Sequence, residues 1–78
     1  MFQGQLDKAI ADFNRALELD PNIAWAYFNR GLALLVKGDE VGAQSDFDRC
    51  LKLRPWLKTE LEQRAEIARG LRQGKQEH

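Results

Sequence analysis

Nucleophiles, bases and metal ligands are scarce in this chain, and their spacing argues against catalysis. The single histidine, His78, is the last residue, and the single cysteine, Cys50, lies in an apolar helical stripe, where we expect a buried core residue. Asp46 and Asp48 are two positions apart in a helical segment and therefore point in different directions. Neither a phosphate-binding loop nor a zinc-protease motif occurs. We therefore expect a protein that is not an enzyme and that holds no metal and no cofactor.

Large apolar side chains with the capacity to hold a partner are concentrated between Ile23 and Val36, where only residues 29–31 interrupt the run. A helix that is apolar on all sides is normally covered on all sides. So short a chain offers few elements to cover it, and we expect one stripe of this helix to stay open. The stripe has helical spacing and consists of Trp25, Phe28, Leu32 and Leu35.

Charge and hydropathy exclude several other kinds of protein. The chain has 78 residues, with 12 basic and 12 acidic side chains and a formal net charge of zero. Nucleic-acid-binding domains usually carry a basic excess, so we expect no nucleic-acid partner. No apolar run approaches the roughly 20 residues that span a bilayer, and no secretory signal is visible, so we expect no membrane contact and favour the cytoplasm.

The sequence repeats itself with a shift of 34 residues, which aligns residues 4–22 with residues 38–56. Such a period indicates stacked supersecondary units that cannot each bury an apolar face alone. The identical pairs are Gly4/Gly38, Ala9/Ala43, Asp12/Asp46, Phe13/Phe47, Arg15/Arg49, Leu17/Leu51, Leu19/Leu53 and Pro21/Pro55.

Apolar residues at three- and four-residue steps predict helices over residues 5–19, 23–37, 39–53 and 56–73. Asp20 or Asn22 is a candidate cap for the second helix, Gly38 a candidate left-handed residue at its end, and Asp39 a candidate cap for the third. The spacing thus predicts one all-α domain over residues 1–78, an antiparallel helix-turn-helix stack of about four helices.

A recorded repeat signature has the same period. The chain matches its spacing with Tyr27-x-x-Arg30-Gly31-x-x-Leu34, Ala43-x-x-x-Phe47 and Pro55, although Arg30 and Leu34 are not the residues of the signature. From Gly4 to Leu57 the chain resembles the tetratricopeptide-repeat (TPR) family. The resemblance implies a half repeat over 4–22, a complete repeat over 23–55, a capping helix over 56–73 and a tail over 74–78.

The half repeat implies that the first helix lacks the helix that would pair with it. Leu6, Ala9 and Phe13 would then lie on an uncovered side. Either the chain is part of a longer repeat array, or something else covers this side. We expect these three residues to support self-association, which makes a homodimeric scaffold the alternative to partner binding.

The resemblance also implies where a protein or peptide partner would bind, because in the family the second stripe faces a concave groove. The candidate partner-binding residues are Trp25, Phe28, Asn29, Leu32 and Leu35. Asn29 matches the position of an asparagine that some members use to clamp a peptide carboxylate, but Glu62 and Glu66 stand where cations would be needed, so we disfavour a clamp. The competing arrangement is a fourth helix folded over the Trp25 stripe. RNA binding by a related repeat is opposed by the neutral charge.

Overall fold

A computed structural model describes residues 2–74 of the chain, and the described part consists of helices joined by short turns, without a strand. Four α-helices follow one another: α1 (Phe2–Leu19), α2 (Ala24–Lys37), α3 (Glu40–Leu53) and α4 (Lys58–Gly74). A single 3₁₀ turn, Pro55–Leu57, joins α3 to α4. The predicted all-α stack of four helices is therefore confirmed. Apart from Gly74, which ends α4, the expected tail lies outside the described residues.

The junction between α2 and α3 is built as the sequence predicts. Gly38 has a φ of 103°, and its N–H donates to the carbonyl oxygens of Leu34 and Leu35. A left-handed residue at this position is favourable for glycine, which has no Cβ. Asp39 then accepts a hydrogen bond of 2.9 Å from the N–H of Gly42 and caps α3. This pair of residues fixes the antiparallel arrangement of the two helices.

The start of α2 differs from the prediction. Its N-cap residue is Ile23, which makes no side-chain capping hydrogen bond. Asp20 instead accepts a hydrogen bond of 3.0 Å from the N–H of Asn22, two residues further on, which tightens the turn between α1 and α2. Neither Asp20 nor Asn22 caps the helix, because the carboxylate of Asp20 is already bonded within the turn that precedes it.

Helix α2 is the centre of the fold and packs against α1, α3 and α4. Phe28, Leu35 and Cys50 are the largest fully buried side chains, which confirms Cys50 as a core residue. The core therefore lies between α2, α3 and α4. The buried side chains of this cluster are Ala24, Tyr27, Phe28, Leu35, Ala43, Phe47, Cys50, Leu57, Leu61, Ala65 and Ala68.

The crossing of α2 and α3 depends on the absence of a side chain at Gly31. A Cβ placed there would lie 2.7 Å from Cδ1 of Phe47 and still closer to Cε1 of the same ring. The two backbones can therefore approach only because residue 31 is glycine. Beside this crossing, the Tyr27 hydroxyl donates a hydrogen bond of 2.9 Å to the carbonyl oxygen of Pro21 and anchors the preceding turn.

Arg30 joins three helices through one guanidinium group. Nε donates to Oδ2 of Asp46 at 2.8 Å and Nη2 donates to Oδ1 of Asp46 at 2.7 Å, a bidentate pair between α2 and α3. Nη1 donates to Oδ1 of Asn14 on α1 at 2.7 Å. The hydrogen bonds that Arg30 donates to the carboxylate of Asp46 raise the pKa of Arg30 above its ordinary value. Arg30, which departs from the repeat signature, thus joins α1, α2 and α3, a role that was not predicted from the sequence.

Candidate functional site

Helix α2 has three covered sides and one open side. Lys37 forms an ion pair with Asp7 of α1 on one side, and Gly31 meets Phe47 of α3 on another. A third side belongs to the buried cluster shared with α4. Since each residue of an α-helix turns by about 100°, the remaining sector is about 60° wide. The residues of this open sector are Trp25, Asn29, Leu32 and Val36, of which the first two are exposed and the last two half-buried.

This geometry corrects two of the expected binding residues. Phe28 is 1% exposed and Leu35 is 0% exposed, so the expectation that both stand open to a partner is wrong. Both lie about 60–80° round the helix from Trp25, on the side against which α4 packs. The fourth helix thus covers part of the stripe, and the open sector shifts by one position, from Phe28 to Asn29 and from Leu35 to Val36.

Helix α4 presents a second stripe with the same spacing as the open sector of α2. Glu60, Arg64, Ile67 and Leu71 follow one another at steps of four, three and four residues. Ile67 and Leu71 are 62% and 55% exposed, high values for large apolar side chains. Arg64 and Glu60 form an ion pair of 3.4 Å at the polar end of the stripe, as their spacing suggests.

The C-terminal parts of the two stripes, together with Leu6 near the start of α1, line an apolar groove of about 300 Å³. Leu32 and Leu6 were predicted from the sequence, but the α4 residues were not, because no local pattern shows which side of α4 meets α2. The side chains that line the groove are Leu6, Leu32, Ala33, Val36, Arg64, Ile67, Ala68 and Leu71.

Trp25 lies in the open sector of α2, near its N-terminal end. Its indole is 49% exposed, and its ring centroid lies 4.8 Å from that of the buried Phe28, with an angle of 50° between the planes. Tilted aromatic pairs at this distance are attractive. Phe28 therefore holds the indole in place while part of its surface stays open to solvent. Asn29, one turn further along, is also exposed.

The self-association residues lie on a partly covered face of α1. Leu6, Ala9 and Phe13 are half-buried, since α1 packs mainly against α2. Their repeat equivalents in α3, where these exist as identical residues, are buried: Ala43 is 0% exposed and Phe47 is 6% exposed. Leu6 also lines the groove. The structure therefore separates Ala9 and Phe13 from the groove and places Leu6 at the edge of both surfaces.

The groups considered for chemistry are dispersed within the described residues. Cys50 is buried, and burial raises the pKa of its thiol. Asp46 is bound to Arg30, while Asp48 accepts a hydrogen bond from Gln44 on the surface. No cluster of histidine, cysteine and carboxylate side chains with the geometry for a metal ion occurs in residues 2–74. Nor is any helix of that range long and apolar enough to cross a bilayer.

Comparison with known proteins places this helical stack among repeat proteins. A family model described as TPR repeat matches residues 2–38. No solved structure gives a significant match to the chain.

Several curated proteins are similar to this chain over part of their length. Protein O-mannosyl-transferase TMTC1 of Mus musculus is 37% identical over 67 residues, which is 86% of this chain and 7% of that protein. Mitochondrial import receptor subunit TOM70 of Homo sapiens is 41% identical over 44 residues, 56% of this chain and 7% of that protein. A TPR repeat-containing protein of Methanocaldococcus jannaschii is 41% identical over 51 residues, 65% of this chain and 15% of that protein. The chain thus spans a small fraction of these relatives.

Proposed function

Because this chain belongs to the tetratricopeptide-repeat family, we propose that it binds a helix or an extended peptide of another protein in the groove between α2 and α4. TPR repeats generally mediate protein–protein interaction. The observation that carries the proposal is the open sector of α2 facing a row of exposed apolar side chains on α4. Ile67 and Leu71, both more than half exposed, gain a cover only from outside the described chain.

We assign different tasks to the α2 residues in this groove and to those of the open sector beyond its N-terminal end. Trp25, Asn29 and Leu32 contact the partner, since they lie in the open sector. Phe28 and Leu35 lie in the buried cluster beside the open sector and act through packing. The indole of Trp25 is the anchor, because partly exposed aromatic side chains held by a buried neighbour lose little freedom on binding.

The magnitude of the apolar surface limits the affinity. Full burial of a large apolar side chain is worth about 1.5–3 kcal/mol, and the side chains of this groove are already half-covered. Covering four of them gives on the order of 5 kcal/mol, against an association cost of about 4–15 kcal/mol. Apolar burial alone is therefore too small for micromolar affinity, which needs about 8 kcal/mol net, and we expect polar contacts to Asn29 and Arg64 to supply a large part of the binding free energy. An amphipathic segment with apolar residues at helical spacing fits this requirement.

Selection from a displayed library of amphipathic peptides tests the proposal. Peptides selected on the unchanged chain are measured against Ile67→Glu and Leu71→Glu, whose exposed positions tolerate a charge without loss of the fold. Val41→Glu is the matched control, because Val41 is 83% exposed on α3 and does not line the groove. We expect both groove variants to bind at least about tenfold more weakly and the control to bind normally. Binding that survives both groove substitutions contradicts the proposal.

A second candidate function is self-association through α1, favoured by the half-covered Ala9 and Phe13. Two chains in solution would each supply apolar cover that the other lacks. Light scattering over a range of concentrations measures this, with Ala9→Arg as the disruptive variant. Ala11→Arg is its control, since Ala11 is exposed. A single-chain mass at tens of micromolar, or equal dimerisation of both variants, contradicts self-association.

A further inference from the structure

We infer that the segment bound in the groove between α2 and α4 carries an internal glutamate or aspartate, whose carboxylate displaces Glu60 from Arg64. This inference rests on the proposed function, because it names the partner chemistry that the groove requires. Its basis is the contrast between two ion pairs of the chain, the weak pair of Arg64 with Glu60 and the strong pair of Arg30 with Asp46.

Arg64 is the one charged side chain that lines the groove among the described residues. The other lining side chains are apolar and come from α1, α2 and α4. In the unbound chain the guanidinium is solvated, since the side chain of Arg64 is 57% exposed. A segment that fills the groove removes part of this water, and a charge that loses water is costly unless an acceptor replaces it. The groove therefore favours a partner that brings an acceptor to Arg64.

Glu60 does not provide a sufficient acceptor. Its Oε2 accepts a single hydrogen bond of 3.4 Å from Nη2 of Arg64, longer than the roughly 2.7–2.9 Å that is usual for a charge-assisted contact. Arg30, in contrast, donates two hydrogen bonds of 2.7 and 2.8 Å to the buried Asp46. Exposed ion pairs within one helix contribute little, so Glu60 can leave Arg64 at small cost. A second carboxylate fits best, because the planar guanidinium can bind it through two parallel hydrogen bonds.

The position of Arg64 indicates a side chain of the partner and not the end of its chain. Arg64 is the first α4 residue of the groove, and Ile67 and Leu71 follow it at steps of three and four residues. On α2 the open sector continues beyond the groove to Asn29 and Trp25. A segment that contacts both the groove and Trp25 extends to either side of Arg64. Its carboxylate therefore belongs to an internal residue.

A displayed library of amphipathic peptides tests the preference for a carboxylate. The positions beside the apolar stripe of the peptides are glutamate, glutamine or lysine in equal shares, and we expect selection on the unchanged chain to enrich glutamate at one of them. A selected peptide is then synthesised with that glutamate or with glutamine, each with a C-terminal amide, and measured by fluorescence anisotropy. The glutamine peptide should bind about tenfold or more weakly, because a charge-assisted contact is lost. A free C-terminal carboxylate in place of the amide should not compensate for this loss.

Substitutions on α4 assign the preference to Arg64. The glutamate and glutamine peptides should bind Arg64→Gln with similar affinity, and Arg64→Glu should prefer the same peptide with lysine at that position. Arg69→Gln is the matched control, because Arg69 lies on the same helix with a side chain 42% exposed but does not line the groove. This control should keep the full preference for the glutamate peptide.

The variant Glu60→Gln tests the displacement itself. It removes the carboxylate that competes for Arg64 in the unbound chain. The glutamate peptide should therefore bind this variant about two- to fivefold more tightly than the unchanged chain, a gain of the size that an exposed ion pair contributes. The glutamine peptide should show no such gain. Equal or weaker binding of the glutamate peptide to Glu60→Gln contradicts the displacement and overturns the inference.

The failure of this inference is distinguishable from the failure of the proposed function. Peptides that Ile67→Glu weakens but that show no preference for glutamate overturn the inference and leave the proposed function intact. A preference for glutamate that persists on Arg64→Gln, or that a free C-terminal carboxylate replaces, also overturns the inference alone. Peptides whose binding survives both Ile67→Glu and Leu71→Glu overturn the proposed function and the inference together.

Discussion

Helices α1 and α3 carry the same residues at the same repeat positions, yet the fold treats them differently. Ala43, Phe47 and Asp46 are buried, while their equivalents on α1 are half-buried or exposed. The difference comes from the neighbours, because α3 lies against α2 and the turn before α4, whereas α1 packs mainly against α2. A repeat residue therefore becomes a core residue only when a second helix covers it.

Truncation of the two phenylalanines should give the largest contrast. Phe47→Ala removes a buried ring from the crossing with Gly31 and should lower the free energy of unfolding by about 3–5 kcal/mol. Phe13→Ala removes a half-exposed ring and should cost about 1 kcal/mol. Urea denaturation followed by circular dichroism measures both.

Phe47→Leu and Phe13→Leu form a milder pair in case Phe47→Ala does not fold at all. The order of the two losses should be the same in this pair. Equal losses at the two positions would mean that α1 is as well covered as α3 in solution. If self-association provides that cover, the loss at Phe13 should become smaller when the measurement is repeated at lower protein concentration.

The two aspartates should also differ in their effect on stability. Asp46→Ala leaves the guanidinium of Arg30 in a partly buried place without its bidentate partner, at a cost of about 2 kcal/mol. Asp12→Ala removes an exposed carboxylate without a described ion pair and should change stability by less than about 0.5 kcal/mol. Thermal or urea unfolding of the matched variants decides this. A loss of similar size at Asp12 would contradict the structural difference between the two helices.

Residues that act within one repeat were predictable from the sequence, because helical spacing, turn residues and the 34-residue period are local. Gly38 and Asp39 end α2 and start α3 as expected, and Cys50 lies in the core. The four helices and their order followed from the same signals.

The direction in which α4 approaches α2 was not predictable, since no local pattern fixes the angle between two helices that are separated by a third. The burial of Phe28 and Leu35 depends on that angle, and so does the exposure of Ile67. The bond between Arg30 and Asp46 was missed for a related reason, because the two residues are 16 positions apart and face each other only after α2 and α3 have packed. The sequence did contain one indication of this bond, because Arg30 stands at a position where the repeat signature has a different residue.

Substitution of Gly31, at the crossing of α2 and α3, is a third test of why residues of α3 are buried and their equivalents on α1 are not. Gly31→Ala places a Cβ against the Phe47 ring and should destabilise the chain by about 1–3 kcal/mol, despite the better helix propensity of alanine. Gly70→Ala is the control, because nothing lies within 4 Å of a Cβ there, and it should stabilise the chain by about 0.5–1 kcal/mol. Opposite signs in urea denaturation are expected. Stabilisation by both substitutions would mean that α2 and α3 cross less closely in solution.

The smallest contrast concerns Cys50 and its repeat equivalent Ala16. Burial raises the pKa of the Cys50 thiol, so the folded chain keeps this proton to a higher pH than the unfolded chain does. The contribution of the thiol to the free energy of unfolding is therefore complete below the ordinary thiol pKa. It falls as the pH rises from the pKa of the thiol in the unfolded chain to its pKa in the folded chain. Urea denaturation at neutral and alkaline pH should show a larger alkaline loss for the unchanged chain than for Cys50→Ala, which has the alanine of the other repeat at this position. Because the two chains differ only at residue 50, the difference between the two losses isolates the thiol, and equal losses would mean that water reaches Cys50 in the folded state.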